Sequence, residues 1–251
     1  MGCRAVMSEN KTGQGGIPSD YTMQFLCRSM LKRNRDSIST QKPDFALRKL
    51  EAIVGAALRI SNQKGFAAMS LRELAQESGV SMGGMYSYFD SKTDLLKMIL
   101  GEVAAAASTV LRRPPDTLRD DPQAHLMWFV EQHIALTNVM TPWFVFSFME
   151  AKTFPADQRR MATQSEEITE GFLVDILKSG MESGVFRCTD PLLTAALIKP
   201  LLQDWYVKRS KYRRRKVSMK TYVAEVKRIV LAACGEPPEP AEVFAETRAS
   251  I

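Results

Sequence analysis

The chain has 251 residues, 45% of them hydrophobic and 25% charged, with 34 Lys+Arg against 28 Asp+Glu for a formal charge of +6. That much apolar material supports a packed core and excludes disorder throughout, and the length suits one large or two modest domains. The basic excess fits an anionic partner without requiring one. By segment the charge is +3 over residues 1–45, +2 over 46–100, −4 over 101–200 and +5 over 201–251. This pattern excludes the uniformly basic coat of a nonspecific nucleic-acid packager.

Met1–Asp20 is polar and Gly-rich, with no apolar stretch of the kind a secretory signal needs. Residues 1–44 read as a disordered leader, although Met23, Leu26, Cys27, Met30 and Leu31 could form a short helix. From Leu50 to Ser61 apolar residues recur at helical spacing, which predicts a helix over about 45–64 ended by Gly65. Ser70-Leu71-Arg72-Glu73 is a capping box that opens a short helix, 71–77. Gly79 supplies a left-handed turn, and Ser81 caps a third helix running to about Tyr88. Ser91 and Asp94 open a fourth, which Pro114 stops.

Helical punctuation continues to the end. Asp121-Pro122 and Thr141-Pro142 each open a helix, and a long one spans about Pro155–Ser183 before Gly184. Another runs over about 191–210 with a kink at Pro200, and Ser218 caps a last one, 219–233, before Gly235. Nothing alternates with period two, so the fold class is all-α. The longest uncharged run, Ile134–Met149, has 16 residues broken by Asn138 and Pro142, short of the roughly 20 that span a bilayer. Cys3, Cys27, Cys188 and Cys234 form no Cys-x-x-Cys pair, which argues against a disulfide framework or a zinc site and for reduced thiols in the cytoplasm.

Two short helices joined by a Gly-containing turn and braced by a third make a helix-turn-helix. The residues Leu74-Ala75-x-x-Ser78-Gly79-Val80-Ser81-x-Gly83-x-Met85-Tyr86-x-Tyr88-Phe89-x-x-Lys92-x-x-Leu95 resemble the N-terminal domain of TetR/AcrR-family bacterial regulators. Ser78 stands where the family usually has Ala, and Met85 where it has Leu, Ile or Phe. The resemblance implies that helix 81–88 enters the major groove and that Tyr86, Tyr88 and Lys92 hold phosphates, with Phe89 and Val80 in the core. Tyr86 and Tyr88 could instead be core aromatics. Ser81 and the free N–H groups at that helix start also suit a phosphate.

The base-reading positions Met82, Gly83, Gly84 and Ser87 include no side chain that makes bidentate base contacts. Such a helix is expected to read DNA by close backbone approach, by contact of Met82 with a thymine methyl group, and by shape. Gly83 and Gly84 could equally serve helix packing. Ser70, Arg72 and Gln76 on the preceding helix complete the expected DNA-binding set.

In that family the remaining helices form a ligand chamber and a dimer interface. Met127, Trp128, Met140, Trp143 and Phe144 could supply its lining, with Phe146, Phe148, Met149, Phe172 and Trp205, although periodicity does not separate lining from core and core is the better reading of any single one. His125 and His133 lack a third ligand and read as surface or hydrogen-bonded groups. Gly180-x-x-x-Gly184-x-Phe186-x-x-x-Asp190-Pro191, followed by Trp205, more loosely resembles regulators of fatty-acid, steroid or aromatic-acid catabolism, several of which sense acyl-CoA thioesters. The run Lys208–Lys216 holds seven basic residues in nine. It is a solvated loop, a CoA phosphate site at Arg213, Arg214 and Arg215, or an auxiliary DNA contact.

The expected organisation is a leader 1–44, a three-helix DNA-binding domain 45–106, a helical ligand-binding and dimerisation domain 107–235, and a flexible tail 236–251. The expected function is a homodimeric, ligand-responsive regulator, most simply a repressor. It would bind double-stranded operator DNA and a hydrophobic effector such as an acyl-CoA, with no metal, no cofactor and no membrane. An enzyme reading lacks a phosphate loop, an activated nucleophile and a metal cluster. The rival of another class is a basic helical module that binds a membrane or a protein partner.

Overall fold

Side-chain caps set most of the helix starts. The computed structural model describes residues 21–35, 38, 43–151, 154 and 156–235, and all regular structure among them is helical. Thr22 caps α1 (Met23–Arg33), and α2 (Pro43–Lys64) follows. Ser70, Ser81 and Ser91 each accept a backbone N–H three residues on, opening α3 (Leu71–Ser78), α4 (Met82–Met85) and α5 (Lys92–Leu111). After a 3-10 turn at Asp116–Leu118, Asp121 caps α6 (Pro122–Val139), and α7 (Thr141–Glu150) begins directly behind it. Then come α8 (Ala156–Glu182), α9 (Pro191–Val207, capped by Asp190), α10 (Arg209–Arg214) and α11 (Met219–Cys234, capped by Ser218).

Helices α2, α3 and α4 form one packed unit, and α6, α8, α9 and α11 form another. Helix α5 serves both. It starts beside the helix-turn-helix and packs along α6, α7 and α8, so the expected boundary at residue 106 falls inside a continuous helix. The apolar stripe Leu95, Leu96, Ile99 and Val103 is buried throughout, which leaves no break for a hinge there.

Three expectations need correction. Residues 21–35 are not a loose leader: α1 docks on α2 and α5, with Leu26, Cys27 and Met30 at most 1% exposed. At its end the Arg33 Nε donates to Glu102 of α5 over 3.1 Å. The polar composition of the whole segment hid an apolar stripe that has a groove to fill. The other leader positions, with Cys3, and the tail 236–251 lie outside the described residues.

The recognition helix is shorter than expected, four residues instead of eight, because the chain leaves helical geometry after Met85. The Lys208–Lys216 run is not an irregular loop, since most of it is α10. Asp204 anchors that helix, accepting from Lys211 and Tyr212 and pairing with Lys208 at 3.1 Å. Burial pushes the Asp204 carboxyl up, but these donors outweigh it and hold it at about 2. Tyr212 and Tyr222 pack on Trp205 at centroid distances of 5.5 and 5.0 Å and meet each other edge-on at 4.7 Å.

In α8, a Cβ on Gly180 would stand inside the ring of Phe186, whose N–H returns 2.9 Å to the Gly180 carbonyl. Gly184 between them takes φ +73°, where L side chains are strained. The Gly180–Phe186 motif is therefore a helix-ending device. Among the described residues no helix is long and apolar enough to cross a membrane.

Candidate nucleic-acid interface and effector cavity

The helix-turn-helix is built from short-range hydrogen bonds around a small core. Ser70 Oγ accepts the Glu73 N–H at 3.1 Å. The Glu73 carboxyl lies below its ordinary value, chiefly through Lys64 at 2.6 Å and to a lesser degree through the Ser70 backbone. At the turn, Gly79 takes φ +66° and Ser78 Oγ accepts the Val80 N–H at 3.3 Å. Leu74, Val80, Met85 and Phe89 are buried beneath it, as expected for Val80 and Phe89. Met85 fills the place of the usual branched or aromatic residue without leaving it exposed.

The outer face carries Ser70, Arg72, Gln76, Ser81, Gly83 and Tyr86, all exposed, with Tyr86 at 50%. Met82, Gly84 and Ser87 are half-buried, and Met82 packs partly on the core. A Cβ on Gly83 would meet nothing within 4 Å, so no contact within the chain requires glycine there. Gly84 differs, because a Cβ would come within 3.1 Å of Val80 and 3.2 Å of the Ser81 hydroxyl.

Two of the expected phosphate contacts are corrected. Tyr88 is 1% exposed and its hydroxyl donates to the Ala46 carbonyl at 3.1 Å, so it is the core aromatic of the pair. Lys92 directs its ammonium inward, to the carbonyls of Phe66 (3.1 Å), Ala67 (2.9 Å) and Met69 (3.0 Å). Its three donors thereby tie together the carbonyls of the turn between α2 and α3, where the Phe66 carbonyl also accepts the Met69 N–H at 3.1 Å. Burial accordingly pulls the Lys92 pKa down.

Sequence reasoning passed over Lys49 of α2. Its Nζ lies 3.7 Å from where a Gly84 Cβ would stand and 4.3 Å from the Phe45 ring centroid. It has no carboxylate partner among the described residues. No helical repeat distinguishes it from other surface lysines, which is why the sequence alone did not show it.

The cavity lies among α5, α6, α7, α8 and α9, with a volume of about 290 Å³. Of the ten expected lining residues, Phe144 and Phe148 face it. Phe146 and Met149 line a second space of about 740 Å³ among α1, α2 and α7. Met140 and Trp143 are core, and Trp205 joins the aromatic stack and donates to Asn138 at 3.2 Å. Met127, Trp128 and Phe172 are half-buried outside both spaces, with Arg112 over the Phe172 ring. Arg213, Arg214 and Arg215 are exposed and line neither cavity. His125 sits beside Trp128, and no metal-binding cluster exists among the described residues.

The cavity's polar end consists of residues that periodicity had not singled out as lining. Lys199 of α9, 5% exposed, donates to Thr169 of α8, and its Nζ stands 3.5 Å from His133 Nε2. Burial pushes the Lys199 pKa down to about 8 although Glu166 and Glu170 pull the other way. Burial and the facing ammonium hold His133 well below its ordinary value, so the imidazole is neutral.

Helix α7 joins the two regions. Its Glu150 carboxylate accepts the Phe66 N–H at 2.9 Å, in the turn before α3. The Phe66 ring packs edge-on against Phe146 and Phe154. Residues 53–99 match the family model for bacterial regulatory proteins of the tetR family. Residues 53–99 thus carry a DNA-binding domain of the tetR family of bacterial regulatory proteins.

The chain is 23% identical to the HTH-type transcriptional regulator HbdR of Aromatoleum sp. (strain CIB) over 166 residues, 66% of this chain and 72% of that one. In fold the chain resembles a tetR-family protein from Rhodococcus RHA1 (TM-score 0.64, 19% identity, 74% of this chain and 97% of that one). It also resembles FadR of Bacillus subtilis, solved in complex with stearoyl-CoA (TM-score 0.57, 16% identity, 72% and 97%).

Proposed function

We propose that the chain is a homodimeric TetR/AcrR-family repressor that leaves a pseudo-palindromic operator when a hydrophobic small molecule enters the 290 Å³ cavity. One observation carries the reading. The helix that borders the cavity with Phe144 and Phe148 ends in Glu150, and Glu150 holds the turn that positions the helix-turn-helix. A ligand that displaces α7 thereby acts on Phe66, whose carbonyl is also a Lys92 acceptor at the start of α5. Coupling through α5 and α7 together of about 1–3 kcal/mol would change operator affinity roughly 5- to 150-fold.

On DNA, Tyr86 and Lys49 are the phosphate contacts, Ser81 adds a hydroxyl, and Arg72 and Gln76 reach from α3. Gly83 and Gly84 let the backbone of α4 approach the groove, with Met82 and Ser87 at base edges. Two such helices must sit about 34–36 Å apart to meet successive major grooves. Leu192, Leu193 and Leu197 of α9 are 57–65% exposed, and Ile229 of α11 is 37% exposed. That surface suits burial against its own symmetry copy.

The cavity is at the small end of the range for ligand sites, about 300–1,000 Å³. A large effector such as the acyl-CoA of the FadR complex would place only its acyl part inside. A gel shift on DNA upstream of the gene tests the reading, run with no ligand and with octanoyl-CoA and octanoate. One fragment should shift selectively and be released by a ligand. No sequence-selective shift of any upstream fragment would overturn it.

A further inference from the structure

Lys199 is costly where it stands. It is 5% exposed, and its direct partners are a neutral imidazole and the Thr169 hydroxyl, with no carboxylate in ion-pair contact among the described residues. Glu166 and Glu170 of α8 act on the ammonium only through space, and Glu166 is exposed and accepts from Gln203. A buried ammonium with neutral partners loses most of its hydration energy and recovers only part of it through hydrogen bonds.

The surroundings indicate what would compensate it. With the ammonium facing Nε2, the His133 proton sits on Nδ1, a buried atom with no hydrogen-bond partner. The same cavity is lined by Val103, Ala107, Phe144 and Phe148, which are apolar or aromatic, and its one carboxylate, Glu166, is engaged by Gln203. One positive end, one apolar body and about 290 Å³ define the complementary molecule.

We propose that the cavity binds a compact apolar monocarboxylate, aromatic or short-chain, whose carboxylate rests on the Lys199 ammonium beside His133 and Thr169. The proposal rests on the reading of this cavity as the effector site and names the class of effector. A thioester carbonyl bears no net charge and would leave the ammonium uncompensated, so the free acid fits and its CoA ester does not.

Isothermal titration of the full chain with benzoate and octanoate, their amides, and octanoyl-CoA tests it. At least one acid should bind saturably and about tenfold or more tighter than its amide. Lys199→Met and Lys199→Gln should each lower acid affinity by a similar factor and lower amide affinity much less. The acid-against-amide comparison on the unaltered protein stands even if a variant fails to fold. Amides binding as well as acids, no saturable binding of either acid, unchanged acid affinity in both variants, or octanoyl-CoA binding tighter than octanoate would each overturn the proposal. The gel shift is a separate readout: acid binding without operator binding upholds this site and overturns the repressor reading.

Discussion

The helix-turn-helix and the cavity are both made of helices, but they assemble their functional groups over different distances along the chain. Between Ser70 and Lys92, caps, turn glycine and buried anchors lie within a few residues of one another, and each acts on its neighbours. At the cavity's polar end, His133, Thr169 and Lys199 come from three helices, with the histidine and the lysine 66 positions apart. Local chemistry can be read along a chain, whereas chemistry assembled by packing needs the packing. The difference also runs the other way. In the local motif the polar groups that look most functional, Tyr88 and Lys92, are the ones that hold the motif together.

The largest expected effect lies in the packing-dependent region. Gly180→Ala forces a methyl group into the Phe186 ring. It should cost about 2–3 kcal/mol in urea unfolding, as overpacking does. Phe186→Ala alone should cost about 3 kcal/mol or more. Because the clash needs both groups, the double variant should be little worse than Phe186→Ala. Strict additivity would mean that the glycine answers to something other than the ring.

A second test uses Lys199. Its ordinary pKa of 10.5 falls to about 8 on folding, chiefly through burial. Between those values the unfolded chain holds a proton that the folded chain does not, so this group makes stability rise with pH from about 8 to 10.5. The slope is at most about 1.4 kcal/mol per pH unit. The raised Tyr206, Tyr222 and Cys27 groups act oppositely, since their folded forms keep protons that the unfolded chain loses. The difference between the unaltered protein and Lys199→Met isolates the lysine, and should show the unaltered protein gaining relative to the variant across that window. Glu166 and Glu170 of α8 and His133 of α6 act on Lys199, Tyr206 of α9 lines the same cavity, and all are common to both proteins. Parallel pH curves would place the ammonium in water.

What the sequence disclosed follows the same division. The all-α class, most helix starts and the helix-turn-helix itself were legible because Ser70, Ser81, Ser91, Asp121 and Ser218 cap helices through their own next turn. The docking of α1 was not, because Leu26, Cys27 and Met30 form a stripe whose groove belongs to α2 and α5. Phe144 and Phe148 were legible as apolar, yet nothing in their spacing separated them from Trp143, which is core. His133 and Lys199 each look unremarkable alone, and only the crossing of α6, α8 and α9 gives them a joint meaning.

The two lysines near the recognition helix give a smaller effect and a cleaner separation. Lys92→Ala removes three hydrogen bonds to backbone carbonyls and, allowing for its partial exposure, should cost about 1–2 kcal/mol of folding stability. Lys49→Ala should leave stability nearly unchanged, weaken operator binding similarly across sequences, and lower the magnitude of the salt slope by about 1. If Lys92→Ala kept full stability and lost the salt-dependent contact, the two assignments would be reversed.

The tyrosines differ by a single hydroxyl each, and the effects should be correspondingly small. Tyr88→Phe removes the bond to Ala46, so about 1 kcal/mol of stability should go while operator affinity follows only the folded fraction. Tyr86→Phe removes a hydroxyl from a half-exposed ring that the Ala46 carbonyl does not engage. Its unfolding curve should overlay that of the unaltered protein, and its operator affinity should fall about 2- to 10-fold, the range of one neutral hydrogen bond to phosphate. The motif places these residues two positions apart on a turn where the helix has already ended, and that geometry sends one ring inward and the other out. Equal responses of the two variants in both assays would show that the division does not persist on DNA.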